Sequence, residues 1–157
     1  MNQLLNDDFG DLLDLFKKHQ VEFVVVGAWA LAAHGLPRAT GDIDLMIRPS
    51  PENALRVIDA LKEFGAPLES HAITAADFSK GGEVYQIGLP PRRIDLLTEI
   101  SGVPTDDVFL TAEVIKFSGR DLPVLSRETL LKNKRATGRK KDELDVEALE
   151  ASSKKGV

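Results

Sequence analysis

Four apolar residues near the N-terminus, Phe9, Leu12, Leu13 and Phe16, recur at the spacing of one helical face, so residues 7–19 predict an amphipathic helix. The β-branched run at 23–26 predicts a buried strand. Gly27 ends it and opens a helix over 28–34, which GLPR stops. Residues 42–47, DIDLMI, predict the next strand. Ser50-Pro51-Glu52 is a helix start, with Ser as cap and Pro in the first turn. Leu55, Ile58, Leu61 and Phe64 stripe that helix, and Gly65 ends it. Residues 66–82 carry no clear period. Strands follow at 84–88 and 93–97 around an LPP turn, then a hairpin of 112–117 and 121–125 about Ser118-Gly119. Ser126 caps a helix over 127–136, and Asp142 opens a last one reaching 151, with SSKKGV as a frayed tail. No repeat, low-complexity tract or linker interrupts this order. The pattern predicts one mixed α and β domain over 1–157, with 126–151 as C-terminal helices.

Composition narrows the class. Of 157 residues, 43% are apolar and 29% charged, the balance of a folded globular protein rather than a disordered chain. The absence of cysteine excludes a disulfide framework and a zinc–thiolate site. The start, MNQLLNDDFG, lacks a basic leader segment, and the longest apolar run, 23–33, is too short for a bilayer. A cytoplasmic protein with no membrane contact is therefore expected. The net charge of −5 argues against general nucleic-acid binding, but it is unevenly spread. The strip KNKRATGRKK at 132–141 holds six basic and no acidic residues, which leaves −11 for the rest. A basic strip on an acidic body suits a local anion site.

The chemistry begins with Asp42 and Asp44, two carboxylates inside an apolar strand pattern. Residues i and i+2 of a strand share a face, so the two project together while Ile43 and Leu45 face the core. Carboxylates about 5 Å apart repel by roughly 3 kcal/mol at an effective dielectric near 20. A cation between them relieves this, and Mg²⁺ takes hard oxygen ligands of that kind. With 14 aspartates, composition alone predicts about half an Asp-apolar-Asp occurrence, so the pair is weak by itself. A third acid would sharpen it. Asp95, in RRIDLL, is the other aspartate with apolar neighbours on both sides in a strand pattern; the alternative for it is an edge-strand salt bridge with Arg92 or Arg93.

Gly27 stands at a strand-to-helix junction, where free N–H groups favour an anion and small residues let a phosphate approach. Ala28 is small but brings no hydroxyl, and GAWALA lacks the Gly-x-Gly-x-x-Gly pattern of a dinucleotide site. In the basic strip, some of Lys132, Lys134, Arg135, Arg139, Lys140 and Lys141 could reach a triphosphate, while the others are solvated. His34 and His71 have no second ligand at metal spacing.

Taken in order, VVVGA, thirteen residues, DIDL, and RIDLL about fifty residues on resemble the DNA polymerase β-like nucleotidyltransferase superfamily. GAWALAAHGLPRATGDIDL and NKRATGRKKDELDVEAL are similar, more narrowly, to the nucleotidyltransferase-fold toxins of abortive-infection and type IV toxin–antitoxin systems. The resemblance spans about 20–150 and implies an α/β (α+β) nucleotidyltransferase fold, a mixed, mainly antiparallel sheet flanked by helices. It implies transfer of a nucleoside monophosphate from a nucleoside triphosphate, such as ATP, to a hydroxyl of an RNA (tRNA) or protein acceptor, with two Mg²⁺ or Mn²⁺ ions, and an antitoxin partner. Asp42, Asp44 and Asp95 match the catalytic metal ligands, and Gly27 and Ala28 the phosphate turn. Arg38 and Thr40 match the polar residues before the Asp pair, and Lys134 and Asp142 the Lys and Asp of a late motif. Ala28 stands where the family has Gly or Ser, and little chain remains after 125 for an acceptor-binding domain. Both departures motivate an alternative: a catalytically degenerate member that binds nucleotide or a partner.

Overall fold

The computed structural model describes residues 7–36, 41–89, 92–117 and 119–155, with side chains through 152. Arg38 and Thr40, Pro90 and Pro91 of the LPP turn, and Ser118 of the hairpin lie outside the described residues. The chain order is α1 (Asp7–Lys18), β1 (Phe23–Val26), α2 (Gly27–Ala33), β2 (Ile43–Ile47), α3 (Pro51–Phe64), α4 (Ala75–Phe78), β3 (Val84–Ile87), β4 (Ile94–Leu97), α5 (Thr105–Thr111), β5 (Glu113–Phe117), β6 (Arg120–Val124), α6 (Arg127–Thr137) and α7 (Lys140–Lys155).

The strands form one six-stranded sheet, ordered β3-β4-β2-β1-β6-β5. β1–β2, β3–β4 and β5–β6 pair antiparallel, while β2–β4 and β1–β6 pair parallel. The sheet is thus mixed and mainly antiparallel, as expected. The central strands carry the most continuous apolar runs, because both their faces are covered. All four residues of β1 are buried, as are Ile43, Leu45, Met46 and Ile47 of β2. Trp29 of α2 packs edge-on against Phe9 of α1 and Phe117 of β5, joining the two N-terminal helices to the β5–β6 end of the sheet.

Local chemistry fixes the ends. The Ser50 hydroxyl accepts from Asn53 N–H at 3.2 Å, Pro51 leads α3, and Gly65 closes it at φ +93°. Buried Asn53 accepts from Glu22 N–H and donates to the Glu22 and Arg48 carbonyls, tying α3 to the strand ends. Ser126 caps α6 through Thr129 N–H, and Gly138 turns the chain into α7.

Three expectations change. The segment 66–82 contains α4, opened by a Thr74–Asp77 capping box. A helix, α5, precedes the β5–β6 hairpin; seven residues with one buried side chain, Val108, are too few to set a period. α7 runs from Lys140 to Lys155 rather than fraying after 151, since neither Gly nor Pro interrupts it before Gly156.

Candidate active site

Parallel pairing of β2 with β4 sets Asp44 directly beside Asp95. Asp42 lies one residue before β2, and its backbone is held by the Trp29 indole, which donates to the Asp42 carbonyl at 2.8 Å. Ile43 and Leu45, 1% exposed each, take the opposite face, so the i, i+2 reading holds. β4 is not an edge strand: it lies between β3 and β2, which puts Asp95 inside the sheet at 8% exposure. The rival reading of Asp95 is half right, because the salt bridge exists. The Arg93 fork donates through Nε to Asp95 Oδ1 at 2.8 Å and through its terminal nitrogen to Oδ2 at 3.2 Å. The same guanidinium lies 3.5 Å from Asp42 Oδ2, and Arg93 N–H donates to Asp42 Oδ1 at 3.0 Å. One arginine therefore spans both outer aspartates.

Asp44 is the crowded member. Burial first, then the neighbouring Asp95 and Asp42 carboxylates, push its pKa up to about 7 against a weaker lowering by Arg93. Gly27 explains how this carboxylate fits. It adopts φ +68° at the end of β1, and a Cβ there would collide with Asp44 Oδ2. Its small size therefore makes room for an acid of the site itself. The first turn of α2 follows directly, and its cap, Val26, offers no side-chain acceptor to the free N–H groups.

The opposite wall comes from the α6–α7 corner. Lys134 is 7% exposed and lies 3.1 Å from Asp142 Oδ1 and 3.2 Å from Asp145 Oδ2. Asp142 also accepts from the Thr137 hydroxyl at 2.6 Å and from Arg139 Nε at 2.6 Å. Burial would raise Asp142, but the hydrogen bonds from Thr137, Lys134 and Arg139 outweigh it and hold the pKa at about 2.

The two walls enclose a cleft of about 440 Å³. It gathers Gly27, Ala28, Asp42, Asp44, Asp95 and Lys134 from four separate parts of the chain. Asp142 lies behind Lys134 rather than on the surface of the cleft, at 0% exposure. The cleft is also lined by Arg93, Arg139, Lys141 and Asp145. Of these, Asp145 had no assignment from sequence; its spacing of three from Asp142 on one helix was the available signal. Two larger hollows, about 590 and 580 Å³, flank α1 and contain none of Asp42, Asp44 or Asp95, so chemistry rather than size selects the cleft. His34 and His71 are committed elsewhere, to the Leu125 carbonyl and the Tyr85 hydroxyl at 2.8 Å each. Among the described residues, no three His, Cys, Asp or Glu side chains stand in a ready ion-holding arrangement, and no helix is long and apolar enough to cross a membrane.

A sheet of this order, with paired strand aspartates beside a Gly turn, is that of a nucleotidyltransferase fold. Residues 12–137 match the family model described as nucleotidyl transferase AbiEii toxin, type IV TA system, and the chain belongs to that family. Three solved structures share the fold. One is TM1012 from Thermotoga maritima, itself a candidate nucleotidyltransferase (16% identity, 98% of this chain and 97% of that one, TM-score 0.60). The second is the lincosamide antibiotic adenylyltransferase LnuA, lincomycin-bound (16%, 95% and 98%, TM-score 0.54). The third is the antibiotic-resistance factor ANT(2'')-Ia in solution (12%, 94% and 90%, TM-score 0.52). A search of curated protein sequences finds no match.

Proposed function

We propose that this protein is a divalent-metal-dependent nucleotidyltransferase that moves a nucleoside monophosphate from a nucleoside triphosphate to a hydroxyl of an RNA or protein acceptor, as the toxin of a toxin–antitoxin pair. The observation that carries this reading is the register Asp44↔Asp95, with Asp42 beside it, in a cleft bordered by Gly27. The donor set suits Mg²⁺ or Mn²⁺: three carboxylates are hard oxygen ligands, and the raised Asp44 marks a crowding that a cation relieves. Asp42 and Asp44 would hold both ions, and Asp95 the one near the acceptor. Bound there, the ions would supply charge neutralisation at the attacking and leaving oxygens.

The chain's own residues do the rest. Asp95 takes the proton of the acceptor hydroxyl. The freed oxygen attacks the α-phosphorus in line, a new P–O bond forms, and the bond to pyrophosphate breaks with its electron pair. The N–H groups at Gly27 and Ala28 face the phosphates, with Ala28 contributing backbone only. Lys134 and Asp142 brace the α6–α7 corner against the nucleotide.

The test is label transfer. The protein is incubated with each α-labelled nucleoside triphosphate, Mg²⁺ or Mn²⁺, and total RNA or protein. Label reaching an acceptor, and absent with Asp44→Asn, is expected. Ala28 favours a second reading, a binder without turnover; tight nucleotide binding with no transfer under any of these conditions would select it.

A further inference from the structure

Resting on the nucleotidyltransfer reading, we infer that Lys141, rather than the buried Lys134, is the cation that grips the triphosphate tail, with the exposed face of Arg139 beside it. Most of the positive charges lining the cleft are already engaged. Arg93 is engaged by Asp42 and Asp95. Lys134 is closed between Asp142 and Asp145, with 9% of its side chain exposed. Arg139 gives Nε to Asp142 and keeps its terminal nitrogens on a side chain that is 67% exposed. Lys141 lines the same cleft and is exposed, and its ammonium makes no hydrogen bond or ion pair among the described residues. It is thus the unspent positive charge of that wall.

Its neighbours make the position more telling. Lys140 is adjacent in sequence but approaches Glu143, at 4.0 Å, and does not line the cleft. Arg135 is turned to Glu150. Lys141 also stands in the first turn of a 16-residue helix, the end where a cation is opposed by the backbone dipole. A local rule broken in this way, in a cleft, is offset when an anion binds there. A triphosphate threading between the walls would present its α-phosphate to Asp42, Asp44 and Asp95 and its tail to Lys141.

Inorganic tripolyphosphate isolates the tail from the base, so its affinity, and that of the nucleoside triphosphate that supports transfer, is measured for the native protein, Lys141→Ala, Lys141→Arg and Lys140→Ala. Lys141→Ala should weaken both ligands about tenfold, leave the nucleoside monophosphate unchanged, and raise KM with kcat largely kept. Lys141→Arg should restore most of the affinity, and Lys140→Ala should bind as native. Native-like affinity in Lys141→Ala overturns the inference, and so does an equal loss in Lys140→Ala, which would mean a diffuse basic field. In either case, transfer by the native protein leaves the nucleotidyltransferase reading standing. A native protein that binds no triphosphate removes both.

Discussion

The two walls of the cleft each carry buried acids, yet their carboxylates are treated in opposite ways. On the sheet side, Asp42, Asp44 and Asp95 share Arg93, and Asp44 rises to about 7. On the helix side, Asp142 meets Lys134, Arg139 and Thr137 and falls to about 2. Burial raises both acids, so the difference lies in what surrounds them. The buried acid of the helix wall, Asp142, is balanced without a ligand. The sheet wall keeps an excess of negative charge, which costs stability and makes sense where a cation is to be received. The teaching is that a cluster of acids is informative only through its unbalanced part.

Asp44→Asn tests the over-acidic wall most severely. Transfer should fall at least a thousandfold, about 4 kcal/mol in barrier, measured by label incorporation. The metal-free protein should meanwhile melt higher at pH 8, because a neutral amide ends the repulsion. Retained transfer, or a lower melting temperature, would break the reading of an over-acidic wall. On the other wall the sign reverses. Lys134→Met leaves Asp142 and Asp145 buried without their shared ammonium, so chemical unfolding should show a loss of about 3 kcal/mol. Adding Asp145→Asn to that variant should recover part of the loss, and the cycle measures the coupling.

Much of this was legible in the sequence. Period-2 alternation placed Asp42 and Asp44 on one face, and β-branched runs marked the central strands. The Thr74-x-x-Asp77 capping box was present but hidden in a segment without hydrophobic period. What local pattern could not supply was strand order. Asp95 as a buried interior residue follows from a parallel β2–β4 pairing between segments about fifty residues apart. The role of Gly27 was legible only in part, since the collision it avoids is with Asp44 from another strand. By charge alone Lys134 reads as one of six basic residues in a strip; the family resemblance singles it out, and the α6–α7 packing buries it while Lys141 stays exposed.

The walls should also separate by pH. Unfolded Asp44 releases its proton near 3.8, whereas the folded side chain holds it to about 7. Its stabilising share is therefore full below about pH 4 and lost as pH rises to about 7, on the order of 4 kcal/mol in metal-free protein. Asp142 runs the other way: its share is present above about pH 4 and lost as pH falls through about 2. Denaturant melts from pH 2 to 8 should show both limbs. Asp44→Asn should flatten the upper one and leave the lower, and saturating Mg²⁺ should flatten the upper one in the native protein.

The smallest effect belongs to Arg93, the counter-charge the sheet wall does possess. Its guanidinium is partly open to solvent, which screens the pairs it makes with Asp42 and Asp95. Arg93→Gln should lower the metal-free melting temperature by no more than about 2–4 °C. The drop should exceed that of Arg135→Gln, whose exposed pair with Glu150 touches no buried acid. Saturating Mg²⁺ should erase most of the Arg93→Gln deficit, since a divalent cation then meets the same carboxylates. A deficit that Mg²⁺ leaves untouched would mean that Arg93 braces the strand ends mechanically, and the contrast between a balanced and an unbalanced wall would then rest on Asp44 alone.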